Sequence, residues 1–154
     1  MRMGIVAVAA GAALTIAVGF GAATGAADDA AEMVKQRVEL MKSQGPHLKP
    51  IADYLKGNGS GDKLSADAQA VADNAKRVPS LFPPGSITDK SRAKPEIWQN
   101  WDDFKAKARD LELAAEKLAE VAKTGDKAVI GPQLKAVGQA CGACHDKYRA
   151  PQKS

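Results

Sequence analysis

Cys141-Gly142-Ala143-Cys144-His145 stands close to the end of a 154-residue chain that has no other cysteine. C-x-x-C-H reads as the attachment site of a c-type haem, in which two thiols add across the haem vinyl groups and the adjacent imidazole supplies an axial nitrogen to iron. On a helix, Cys144 lies about −60° and His145 about +40° from Cys141, so all three project within one arc of about 100°. Competing readings fit less well. A thioredoxin-like C-x-x-C follows a strand and opens a helix, where the dipole lowers the thiol pKa; here the motif falls late in a helical pattern. A zinc site needs four ligands, and the chain has two cysteines and two histidines. A disulfide across three residues of a helix has poor geometry.

The amino terminus points to export. Arg2 precedes an uncharged stretch from Met3 to Ala27, built of small and aliphatic residues and followed by Asp28-Asp29. A positive start, an apolar run and a small-residue exit describe a signal peptide, so residues 1–27 are expected to be removed and 28–154 to form the mature domain in the periplasm. An uncleaved anchor is the alternative, because the run is long enough to span a bilayer. Removing 27 of 154 residues leaves 127, enough for one domain. The leader holds one basic residue, so the formal charge of +4 becomes +3. That is too mild, with no basic run, to argue for nucleic acid. After cleavage no membrane association is expected.

The mature chain reads as helices throughout. The first is expected from Asp28 to about Lys56, started by Asp28 or Asp29, with Val34, Val38, Met41, Leu48, Ile51 and Leu55 on one face and a kink or unwound turn at Gly45-Pro46 and Pro50. Ser65 is expected to cap a second helix with Ala68, Val71, Ala72, Ala75 and Val78 inward, ending before Pro79. A long connection from Ser80 to Lys94 should tuck Leu81, Phe82 and Ile87 against the core. A third helix opens at Pro95 and carries a seam from Ile97 through Trp101, Phe104, Ala108, Leu111, Ala115 and Leu118 to Ala122, ended by Thr124-Gly125. The fourth places Ile130, Leu134, Val137, Cys141, Cys144 and Tyr148 inward, with Pro132 in its first turns. The expected fold is all-α, an antiparallel four-helix bundle with covalently bound haem in its core.

A C-terminal C-x-x-C-H followed by Tyr148-Arg149 on the last of four helices resembles the cytochrome c′ family, the class II cytochromes c. The segments Phe82-Pro83-Pro84-Gly85-Ser86 and Ala93-Lys94-Pro95-Glu96-Ile97-Trp98 resemble that family too. The resemblance implies one haem c, with Cys141 and Cys144 as thioether residues and His145 as the proximal iron ligand. It matches Arg149 to an arginine beside the proximal haem face, and Arg37 to one near the haem propionates. Met41 falls where the family places its distal residue. A methionine there binds iron in the low-spin branch, which the run Leu40-Met41-Lys42-Ser43-Gln44-Gly45 resembles more. In five-coordinate members the distal residue leaves iron open to small gases, and a methionine there is simply packed. Away from iron, Arg37 and Arg149 would be surface charges. His47 is read as a solvent-facing side chain, and Trp98, Trp101 and Tyr148 as packing.

The function expected from these residues is a periplasmic one-electron carrier with His/Met-ligated haem, exchanging electrons with redox partner proteins and catalysing no reaction of its own. The alternative is a five-coordinate protein that binds nitric oxide or carbon monoxide. A peroxidase would need a distal acid–base group that the sequence does not offer. Homodimers through the first two helices occur in the family.

Overall fold

The computed structural model describes residues 22–152. Of the expected leader, residues 1–21 lie outside the described residues. Among the described residues, five helices make up the regular structure: α1 (Ala22–Leu55), α2 (Leu64–Arg77), α3 (Glu96–Gln99), α4 (Trp101–Ala122) and α5 (Lys127–Tyr148), with a 3-10 turn at Pro79–Leu81. Among the described residues no helix is long and apolar enough to cross a membrane.

The four long helices close a ring in which α1 packs on α2, α2 on α4, α4 on α5 and α5 on α1. Two apolar clusters give their directions. The lower cluster joins Ile51, Leu64, Leu118, Ala122 and Ile130, and the upper joins Leu40, Val78, Phe104 and Tyr148. Thus α1 and α4 run from upper to lower and α2 and α5 return, an antiparallel four-helix bundle as the seam pattern predicts. Alanines set the closeness of α2 to α4. Ala68, Ala72 and Ala75 face Ala108, Ala115, Ala119 and Ala122 at 5% exposure or less, and small side chains let the two backbones approach. Ile51, Leu64, Leu118 and Ile130 fill the space between layers, each worth about 1.5–3 kcal/mol when fully buried. Glu112, buried between the same two helices, is matched by Arg109 and by Lys76 at 3.7 Å.

Helix ends depart from the sequence reading where tertiary contacts outweigh local signals. α1 already includes Ala22, the first described residue, so Asp28 and Asp29 lie within it and cap nothing. It runs on through Pro46 and Pro50 with no unwound turn. Both prolines and Lys42 are exposed, so the carbonyls of Lys42 and Pro46 that lose their amide partners stand on the wet side of the helix. The turns beyond are anchored by buried Ile51 and by the Tyr54 hydroxyl, which donates to the Gly125 carbonyl at 2.8 Å. Gly125 takes φ +66°, the left-handed conformation that ends α4.

Ser65 sits inside α2 and caps nothing. Lys63 precedes the helix without a side-chain cap, and buried Leu64 carries the first turn into the core. The helix expected from Pro95 is two pieces, α3 and α4, broken at Asn100 with φ −126° and ψ 46°. The Asn100 amide side chain and backbone N–H both donate to the Glu96 carbonyl, at 3.1 and 3.0 Å, which satisfies the group the break exposes. In the connection Leu81 and Phe82 are buried as expected, but Ile87 is 39% exposed. Val38 is 42% exposed and outside the packed stripe of α1, which runs through Val34, Arg37, Leu40 and Ile51.

Leu118→Ala should cost about 2–5 kcal/mol in urea denaturation, because its layer is closed on all sides by other helices. The upper end is pinned by Asp103, which accepts from the Tyr148 hydroxyl at 2.5 Å and from Lys147 Nζ at 2.9 Å. These bonds hold the Asp103 carboxyl below its usual range. Its stabilisation is therefore full above the unfolded value of about 3.9 and is lost as pH falls through the lower folded value. The difference in urea midpoint between wild type and Asp103→Asn should shrink on going from pH 6 to pH 3. A difference independent of pH would contradict this pin.

Candidate functional site

The last turns of α5 carry the motif beside a cleft of about 420 Å³ at the upper end of the bundle. Cys144, His145, Tyr148 and Arg149 form its α5 wall, and Val34, Arg37, Val38, Met41 and Lys42 its α1 wall. Phe82 and the run Lys90–Ala93 close it from the connection, and Ile97, Phe104 and Val78 form its apolar floor. The cleft exists because the connection is held off α1 by specific bonds. Arg37 Nε donates to the Leu81 carbonyl and Nη2 to Ser86 Oγ, while the guanidinium lies 4.2 Å from the Phe82 ring centroid. Trp98 Nε1 donates to the Phe82 carbonyl at 3.0 Å and fixes the other edge of the same turn.

A second set of bonds staples the end of α5 to the connection. Arg92 Nε and Nη2 both donate to the Ala150 carbonyl, at 2.9 and 2.8 Å, and the Ala150 N–H returns to the Arg92 carbonyl at 2.7 Å. The Lys94 N–H donates to the Tyr148 carbonyl at 3.0 Å, and Ala93 and Arg149 form a bridge pair. His145, four residues before Arg149, is thereby held on a helix end that cannot fray.

Electrostatics separate the readings of the motif. Both cysteines are free, and burial pushes their thiols up, that of Cys144 to about 11. A redox-active C-x-x-C needs the opposite shift. His145 is held below its usual value, first by burial and then by Arg149 and Arg92, which keeps a neutral imidazole with a lone pair to give. Among the described residues no group of three or more His, Cys, Asp or Glu side chains is placed to hold a metal ion by itself.

Of the residues singled out by sequence, Cys144, His145, Met41, Arg37 and Arg149 share the cleft. Cys141, one turn earlier, packs against the lower core. His47 does not line the cleft; its Nδ1 is 3.0 Å from Asp67 Oδ1 on α2. It is half-buried rather than solvent-facing. Trp101 stacks on Phe104 at 5.5 Å, and Phe104 meets the Tyr148 ring edge-on at 5.4 Å. The sequence reading missed Lys90 and Arg92, whose only local signal is their place in the irregular connection after Phe82-Pro83-Pro84-Gly85-Ser86.

A c-type haem suits these residues. Arg37 is 5% exposed, burial lowers its pKa to about 10, and its Nη1 has no hydrogen-bond partner. A buried cationic donor left unpaired, in a cleft with an apolar floor and a cationic border beside the motif, matches a planar apolar group with carboxylates at one edge.

Comparison with known proteins agrees. The family model for cytochrome c′ matches residues 32–149. Cytochrome c′ of Rhodospirillum rubrum is 36% identical over 126 residues, covering 80% of this chain and 86% of the relative. Cytochrome c-556 of Agrobacterium fabrum is 38% identical over 138 residues, covering 88% and 93%. A nitric oxide complex of a cytochrome c prime variant from Alcaligenes xylosoxidans superposes with a TM-score of 0.71 at 26% identity, covering 79% of this chain and 97% of that one. These matches establish the family. The chain belongs to the cytochrome c′ family, whose members bind one covalently attached c-type haem.

Proposed function

We propose that the cleft holds this haem, with Cys141 and Cys144 as its thioether residues and His145 as the proximal ligand, and that the protein binds a small neutral gas, nitric oxide or carbon monoxide, on the α1 side. Iron supplies the coordination bond to the gas; the chain supplies the fixed imidazole and the shape and polarity of the approach. The observation that carries this reading is the α1 wall. Val34 and Val38 face the cleft with Met41, and no second histidine and no carboxylate lines it. The three apolar side chains of this wall suit an uncharged diatomic, and its two cations, Arg37 and Lys42, hold no lone pair with which to occupy iron themselves. The nitric oxide complex of the Alcaligenes relative supports the same assignment. Arg37 and Arg149 would meet the haem carboxylates and the proximal face.

A second reading keeps the one-electron carrier. It rests on Met41, whose thioether is the soft donor on the α1 wall and, bound to iron, would favour the ferrous state. Both readings place the mature protein, from about Asp28, in the periplasm, and neither involves turnover of a substrate.

Optical and paramagnetic-resonance spectra of the purified protein separate the two. Gas binding predicts high-spin haem in both oxidation states and ready combination with carbon monoxide. Met41→Leu should then leave the spin state unchanged, because it keeps most of the packing volume. Met41→Ala should speed carbon monoxide binding by about tenfold or more, since it opens the α1 wall. A low-spin wild type that becomes high-spin in Met41→Leu would overturn this reading in favour of ligation and electron carriage.

A further inference from the structure

The cleft is lined by five cationic side chains, Arg37, Lys42, Lys90, Arg92 and Arg149, and by no carboxylate. Five cations exceed the whole chain's formal net charge of +4, so the remainder of the chain is on balance slightly acidic. The positive charge is therefore gathered at one end of the bundle. Arg37 and Arg92 are engaged by the bonds described above. Lys42, Lys90 and Arg149 are exposed, and none pairs with a carboxylate among the described residues. Elsewhere Lys49 pairs with Asp53, Lys105 with Asp102, Lys123 with Glu120 and Lys147 with Asp103, while lysines such as Lys117 and Lys135 also stand without a carboxylate partner among the described residues, so what marks the strip is the gathering of its cations beside one cleft.

The same strip continues onto an adjoining groove. There Lys42 and Lys90 stand with Lys35 and one carboxylate, Glu39, around Val38, which is 42% exposed; Lys35 pairs with Glu32, so Lys42 and Lys90 supply the groove's unpaired positive charge. An apolar centre within a charged rim is the anatomy of a protein interface. Two haem carboxylates would cancel about two of the five charges, so the rim stays positive with the cofactor in place. Lys42 and Lys90 border both the cleft and the adjoining groove and are exposed, which suits a broad acidic surface better than a small anion.

From this geometry we infer that the strip formed by Lys42, Lys90 and Arg149 around Val38 is a docking surface for the acidic face of a one-electron donor protein, which would reduce the haem held in the cleft. One electron leaves the donor and ferric iron becomes ferrous, with no bond made or broken. The inference rests on haem occupying the cleft, and it holds with either arrangement on the α1 side.

The test uses the haem-loaded protein and reduced flavodoxin, an acidic one-electron donor, in stopped-flow at ionic strengths of about 10 mM and about 0.5 M. At low ionic strength Lys42→Glu/Lys90→Glu should slow reduction by about tenfold or more, and Lys42→Gln/Lys90→Gln by a few-fold. Lys117→Glu, an exposed lysine of α4 outside the cleft lining, should change the rate by less than about twofold, and all differences should collapse at high ionic strength. With hexaammineruthenium(II), a cationic reductant, the double charge reversal should speed reduction instead. The neutralised pair keeps the test decisive should the charge-reversed protein fold poorly. Rates with flavodoxin that stay within about twofold of wild type in both double variants would overturn the docking surface. So would such rates combined with capture of the wild type by phosphatidylglycerol vesicles, which would assign the strip to an anionic membrane. The Soret band of the same samples reports the haem separately: its presence with insensitive rates refutes docking alone, and its absence refutes the reading of the cleft as well.

Discussion

A guanidinium buried at the apolar end of a helix bundle is costly, and the upper half of this molecule is arranged around one. Arg37 projects from α1 into the space beneath the connection, where it binds the Leu81 carbonyl, Ser86 Oγ and the face of Phe82. These contacts place the turn that roofs the cleft. They leave Nη1 without a partner, and leaving a buried charged donor unsatisfied costs on the order of 1–3 kcal/mol or more. A carboxylate of the bound cofactor reaching this nitrogen would remove that cost. Cofactor binding and the completion of the fold would then be one event at this end of the protein.

The two ends of the bundle divide the work accordingly. In the lower half, alanines of α2 and α4 and the large aliphatic side chains between them pack into one buried cluster. That half needs nothing but its own side chains. In the upper half, α1 contributes valines and a methionine to a cleft wall instead of to a packed layer, and the aromatic group Phe82, Phe104 and Tyr148 forms the border. The Arg92 staple and the Asp103–Tyr148 bond hold the end of α5 from two sides. A metal-bound histidine three residues before Tyr148 would gain a fixed orientation from both.

What could be read from sequence was what depends on local pattern. The C-x-x-C-H motif names its own chemistry, and the seams of α4 and α5 follow helical periodicity closely enough to give the bundle. Local pattern failed where long-range contacts decide. Pro46 and Pro50 are breakers by propensity, yet α1 continues because their face is solvated and the turns beyond are anchored by Ile51 and Tyr54. The break at Asn100 lies inside the apolar seam, and the Asn100 side chain and backbone N–H both bond back to the Glu96 carbonyl there. Arg92 lies in an irregular connection 58 residues from the carbonyl it grips, a distance no periodicity spans. Arg37 and Met41 were singled out through family resemblance; helical phase alone placed Met41 on an apolar face and left Arg37 as an ordinary surface charge. The exposure of Val38 follows from its place in the cleft wall.

The account turns on haem being joined to Cys141 and Cys144 in this cleft. Acid–organic extraction of the purified protein, followed by intact-mass measurement, tests that most directly. The predicted result is colour retained by the polypeptide and a mass exceeding the mature chain by one haem, with both lost in Cys141→Ser/Cys144→Ser. Haem passing into the solvent from the wild type, or a polypeptide mass equal to the apoprotein, would contradict it.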